Sequence, residues 1–141
     1  MALILDSSGL LSAIDTGQRF HQTAREALEN ATGPLLLSPF VLAELDYMVL
    51  TRYGPDEESA LLAEVSRGAY RLEAFSAEDV AEAKEVIEQY ASFGDVGLAD
   101  ASNVVLARRY DTWDILTLDE RHFRAMRGPQ GRPFRLLPAD H

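Results

Sequence analysis

The chain has no cysteine, a single lysine and only three histidines in 141 residues, and each scarcity narrows its chemistry. Without thiols there is neither a disulfide nor a thiolate zinc site, which fits a reducing compartment. His21, His122 and His141 match no metal-ligand spacing, and with no His-Glu-x-x-His motif a zinc hydrolase of that kind is not expected. Gly94-x-x-Gly97 lacks the Lys and Ser/Thr of a Walker loop and reads as a turn. No apolar stretch approaches the roughly 18 residues of a membrane span. Met1 to Leu5 runs straight into Asp6 without a basic region before an apolar run, so no leader peptide is expected. These absences lead us to expect a cytoplasmic protein with no membrane partner. No internal repeat, low-complexity segment or linker is visible.

What is present is 47% apolar content, enough for one self-sufficient core, so residues 1–141 are expected to form one domain. The formal charge of −10 opposes binding to a polyanion, but its distribution is uneven. Between Asp56 and Asp100 there are twelve acids and three bases, so nearly all the excess sits in one stretch. Arg121, Arg124, Arg127, Arg132 and Arg135 follow with no acid between the first and the last. The acidic stretch either serves solubility, turns away from a nucleic-acid substrate or meets a basic partner.

Short apolar runs alternate with amphipathic ones. Leu3-Ile4-Leu5, Leu35-Leu36-Leu37, Tyr70 to Phe75, Ile115 to Leu118 and Phe134 to Leu137 read as strands. Helices are expected from Leu10 to Ile14, Phe20 to Ala31, Pro39 to Tyr53, Asp56 to Ser66, Ala77 to about Tyr90, Leu98 to Tyr110 and Glu120 to Met126. Ser38 before Pro39 is an N-cap signature. Ser76-Ala77-Glu78-Asp79 resembles a capping box with Asp in place of Glu. This alternation predicts an α/β sandwich with a mostly parallel sheet.

In such a sheet ligands bind beyond the carboxyl ends of the strands. Asp6 follows the first strand and Asp119 follows Leu116-Thr117-Leu118. Glu44 falls at the border of the helical stripe Val41, Leu45, Met48, and Asp100 lies in the first turn of its helix, half-buried by pattern. Four acids aimed at one crevice repel unless a cation neutralises them, and an all-oxygen donor set favours Mg²⁺ or Mn²⁺. Such a site suits phosphodiester hydrolysis by metal-activated water. Ser7, Ser8 and Thr117 can donate hydrogen bonds to the carboxylates or a phosphate. Asp95, Asp111 and Asp114 lie near the site motifs and suit turns, with Asp95 the one to consider for the outer shell of the site. Arg121 and Arg124 either position an RNA backbone or form a solvated helix face. Tyr47, Met48 and Leu50 either pack into the core or meet a second copy.

Leu3-Ile4-Leu5-Asp6-Ser7-Ser8, the Ser38-Pro39 turn leading to Glu44, Gly97-Leu98-Ala99-Asp100-Ala101, and Leu116-Thr117-Leu118-Asp119 with Phe123 together resemble the acidic motifs of PIN-domain ribonucleases. In length and order the chain resembles the VapC-like toxins of bacterial toxin-antitoxin pairs. The resemblance spans the chain and all four acids are present. It implies a three-layer α/β/α sandwich, a Mg²⁺- or Mn²⁺-dependent endoribonuclease with Asp6, Glu44, Asp100 and Asp119 as ligands, a small cognate antitoxin and a homodimer. A non-catalytic RNA- or protein-binding module with a structural cation is the rival, though such a relative need not retain four acids. A phosphoacceptor receiver domain needs a late-strand lysine, and Lys84 lies mid-helix by pattern.

Overall fold

The computed structural model describes all 141 residues. Its elements run β1 (Leu3–Leu5), α1 (Ser7–Ile14), α2 (His21–Glu29), β2 (Leu35–Leu37), α3 (Pro39–Tyr53), α4 (Pro55–Ser66), β3 (Arg71–Leu72), α5 (Ala77–Gln89), α6 (Leu98–Tyr110), β4 (Asp114–Leu116), α7 (Glu120–Ala125) and β5 (Arg135–Leu137). The strands form one sheet of order β3-β2-β1-β4-β5, and every pairing is parallel.

Strands of three residues that are apolar throughout are suited to burial on both faces. Ile4, Leu36, Ile115 and Leu136 join one core with Ala83 and Val86 of α5, Val104 and Leu106 of α6, and Phe123 of α7. Leu5, Leu37, Leu116 and Leu137 point the other way, into a core with Leu10 and Leu11 of α1, Ala24 of α2, Val41, Leu45 and Val49 of α3, and Leu61 of α4. The result is three layers, α/β/α, with β1 central.

The helix starts follow local chemistry. Ser38 Oγ accepts from the backbone N–H groups of Phe40 at 3.1 Å and Val41 at 3.5 Å, and Pro39 occupies the first helical position. Ser76 and Asp79 form the reciprocal box, at 3.2 and 2.8 Å. Gly9 lets α1 lie directly on β4: a Cβ there would stand 2.3 Å from the Leu116 carbonyl oxygen.

Several boundaries differ from the sequence expectation, and those of β3, β4 and α1 have a clear local cause or shift the site. β3 pairs only at Arg71 and Leu72, because β2 ends at Leu37, whose carbonyl accepts from the Glu73 N–H at 2.9 Å before Ser38 turns the chain into α3; the Ala74 carbonyl accepts from Arg109 at 2.9 Å. Neighbouring Glu73 is buried, held by Arg109 at 3.0 Å and the Tyr110 hydroxyl at 2.7 Å. β4 ends at Leu116, since the Leu118 N–H goes to Ser8 Oγ at 3.0 Å and the Asp119 N–H to Thr117 Oγ1 at 2.9 Å. α1 begins at Ser7 rather than Leu10.

From β1 the chain winds outward through β2 and β3, then crosses to the other side of β1 for β4 and β5. The direction of winding therefore reverses between β1 and β4. Their carboxyl ends diverge into the crevice that parallel α/β sheets use for ligands.

Candidate metal centre

Asp6 stands at the exit of β1, and its N–H bonds to the Leu116 carbonyl of β4 at 3.0 Å. Although it occupies the N-cap of α1, its side chain caps nothing. The carboxylate instead turns inward, only 3% exposed. Oδ2 accepts from Thr117 Oγ1 at 2.7 Å and Ser8 Oγ at 3.3 Å, and Asn103 Nδ2 approaches Oδ1 at 3.5 Å. Burial pushes its pKa from 3.8 to about 7 against the lowering effect of the Thr117 hydrogen bond, with Asp100 and Glu44 adding repulsion. A buried carboxylate facing further carboxylates is poorly stabilised by its own protein.

Glu44 comes from the second turn of α3 and accepts a short hydrogen bond from Ser7 Oγ. Asp100 is the third residue of α6 and half-buried. Burial is the main reason its pKa rises from 3.8 to about 6; His122 opposes the rise, while Asp119 and Glu44 add to it. The two helices are pinned together by Ser38 Oγ and Ser102 Oγ at 2.6 Å, both fully buried.

Asp119 is the N-cap of α7, three residues beyond β4, rather than a strand-end residue. Oδ1 accepts from the His122 N–H at 3.1 Å and Oδ2 lies 2.7 Å from His122 Nδ1. One oxygen each from Asp100 and Asp119 and one ring nitrogen of His122 fall within 4.8 Å of one another. A divalent cation suits this donor set. Carboxylate oxygens dominate it, burial raises Asp100 within it and Asp6 beside it well above the ordinary carboxylate range, and His122 Nε2 is buried without a hydrogen-bond partner.

The topology thus gathers residues from β1, α3, α6 and the β4–α7 turn. The PIN domain profile matches residues 3–129. The chain belongs to the PIN-domain family. Over 136 residues, 96% of the chain and all of the relative, it is 42% identical to Ribonuclease VapC26 of Mycobacterium tuberculosis. Two solved structures share the PIN fold at lower identity. VapC20 of Mycobacterium tuberculosis, described as a toxin that cleaves the sarcin-ricin loop, matches with a TM-score of 0.77 and 19% identity, over 85% of this chain and 92% of its own. VapBC2 of Rickettsia felis, solved with a DNA fragment from its promoter, matches with a TM-score of 0.68 and 21% identity, over 96% and 98%.

Within this PIN domain the remaining candidates separate. Arg124 is engaged by Asp140 at 2.6 and 2.7 Å and by Glu120 at 3.0 Å. Arg121 is the freer of the two, lying over the Phe93 ring at 4.8 Å with Asp95 at 3.6 Å. Asp95 itself is exposed, Asp111 ends α6 in the left-handed conformation and Asp114 faces Arg135 at 3.6 Å. Two site neighbours escaped sequence reasoning. Asn103 is fully buried against Asp6, and its signal was its position one turn after Asp100. His122 was set aside because the three histidines match no metal-ligand spacing, whereas the informative pattern is Asp119-x-x-His122 across a helix start.

Proposed function

We propose that residues 1–141 act as one metal-dependent endoribonuclease and as the toxin of a toxin-antitoxin pair, working in the cytoplasm and restrained by a small cognate antitoxin. The observation that carries this reading is the crevice in which Asp6 faces Asp100 and Glu44, and Asp100 meets Asp119 and His122, a group of acids that a divalent cation would neutralise. The 42% identity to a named ribonuclease supports RNA as the substrate. Asp6, Glu44 and Asp100 supply carboxylate oxygens, and Asp119 with His122 closes the remaining side of the site. Bound Mg²⁺ or Mn²⁺ would polarise a phosphoryl oxygen and make water a better nucleophile.

The chain's own groups then have defined tasks. Thr117 and Ser8 fix the Asp6 carboxylate from one side, and Ser7 fixes Glu44 from another. No cysteine is present, and Ser7, Ser8 and Thr117 are tied to carboxylates. Attack by water in line with the leaving oxygen therefore fits better than a covalent intermediate. Arg121, at the crevice rim, is suited to a backbone phosphate. Tyr47 and Leu50 are exposed on α3, whereas Met48 packs on the core. We infer that the exposed pair meets a second copy, which light scattering in solution tests.

The decisive experiment is cleavage of labelled single-stranded and transfer RNA in Mg²⁺ or Mn²⁺, beside EDTA and Asp100→Asn controls. Cutting that requires the metal and falls at least about 100-fold in the variant supports the enzyme. Metal binding without cutting of any RNA supports the binding-module rival.

A further inference from the structure

The His122 imidazole is placed by more contacts than a helix-surface residue needs. Its backbone N–H and Nδ1 occupy the two oxygens of Asp119, at 3.1 and 2.7 Å, and its ring meets Phe93 edge-on at 5.8 Å between centroids. The side chain is 15% exposed. A carboxylate acceptor at 2.7 Å favours a proton on Nδ1, which leaves Nε2 as the ring atom available to a cation. That atom is buried and has no hydrogen-bond partner. Asp100 contributes the oxygen that shares the 4.8 Å cluster with Asp119 and His122. A carboxylate holding one ring nitrogen while the other is left free is the arrangement that orients metal-binding histidines.

We propose that His122 Nε2 is a direct ligand of the cation and that Asp119 is the positioning residue holding the imidazole, so the fourth position belongs to a nitrogen donor. The inference rests on the metal-dependent reading above. It also carries a selectivity consequence: an imidazole in an otherwise oxygen site raises affinity for Mn²⁺ more than for Mg²⁺, because the harder ion gains less from nitrogen.

Pulsed electron paramagnetic resonance of the whole protein loaded with Mn²⁺, with its histidines labelled with ¹⁵N, reads the ligand directly and requires no variant to fold. A nitrogen coupling of directly coordinated size that changes on labelling supports the proposal. It disappears in His122→Gln, where Mn²⁺ affinity falls about 10- to 100-fold, and persists in Asp119→Asn, where binding is weaker but still through nitrogen. Bound Mn²⁺ with no histidine coupling overturns the proposal and leaves the carboxylate site intact. Failure to bind Mn²⁺ at all overturns both readings.

Discussion

Replacing Asp6 with Asn should make the metal-free protein more stable while removing its response to metal. Below pH 3.8 the Asp6 carboxyl is protonated in folded and unfolded chains alike and contributes no pH dependence. As pH rises from 3.8 toward about 7, the unfolded chain ionises while the folded one keeps its proton, so stability declines across that interval and levels off above it. At about 1.4 kcal/mol for each pH unit, the loss reaches about 4 kcal/mol at neutral pH. The amide is nearly isosteric and does not ionise. Its oxygen keeps the Thr117 donor, and its N–H₂ meets Asn103, whose buried Oδ1 lacks a partner and can accept once that amide turns over. Urea and thermal melts in EDTA should show the two proteins converging near pH 4, with Asp6→Asn ahead by about 10 °C in Tm at pH 8. Mn²⁺ at 100 times its dissociation constant should stabilise wild type by about 2.7 kcal/mol and leave the variant unmoved. A variant less stable at pH 8, or one retaining the wild-type pH slope, would refute the view that Asp6 is a repelled, cation-seeking carboxylate.

Thr117→Val removes the 2.7 Å donor to Asp6 and the acceptor for the Asp119 N–H; metal affinity by titration calorimetry should fall about tenfold, with about 1–2 kcal/mol of stability lost. Gly9→Ala drives a methyl into the Leu116 carbonyl and should lower stability by about 3 kcal/mol in urea melts, with activity lost only in proportion to unfolded protein. Arg109→Met strands the buried Glu73, leaving it only the Tyr110 hydroxyl. A cost of about 3 kcal/mol is expected, whereas Arg108→Met, which breaks an exposed pair with Glu82 at 3.4 Å, should cost less than about 1 kcal/mol.

Much of this was legible in the chain because the relevant signals are local. Triple-leucine β2, the Ser38-Pro39 start and the Ser76–Asp79 box each announce themselves within a few residues. Asp6, Glu44 and Asp100 could be placed because strand exit and helical phase determine where a side chain points. The failures were non-local. The pairing of Tyr70 to Phe75 stopped at Leu72 because its partner strand, more than thirty residues earlier, ends at Leu37 where Ser38 caps the next helix. Asp119 looked like a strand-end acid until Ser8 and Thr117 proved to claim the intervening backbone N–H groups. The significance of His122 lay in a ring nitrogen left without a partner, which no spacing rule detects.

The order in which the site residues occur also governs when the protein can act during its own synthesis. Asp6 emerges early, but the hydroxyl and the amide that hold its carboxylate come from Thr117 and Asn103, and its strand is flanked on one side by β4. A nascent chain lacking these last elements carries an unsupported acid and no crevice. The ribosome making this protein must therefore pass Thr117 before a competent site exists beside its own RNA.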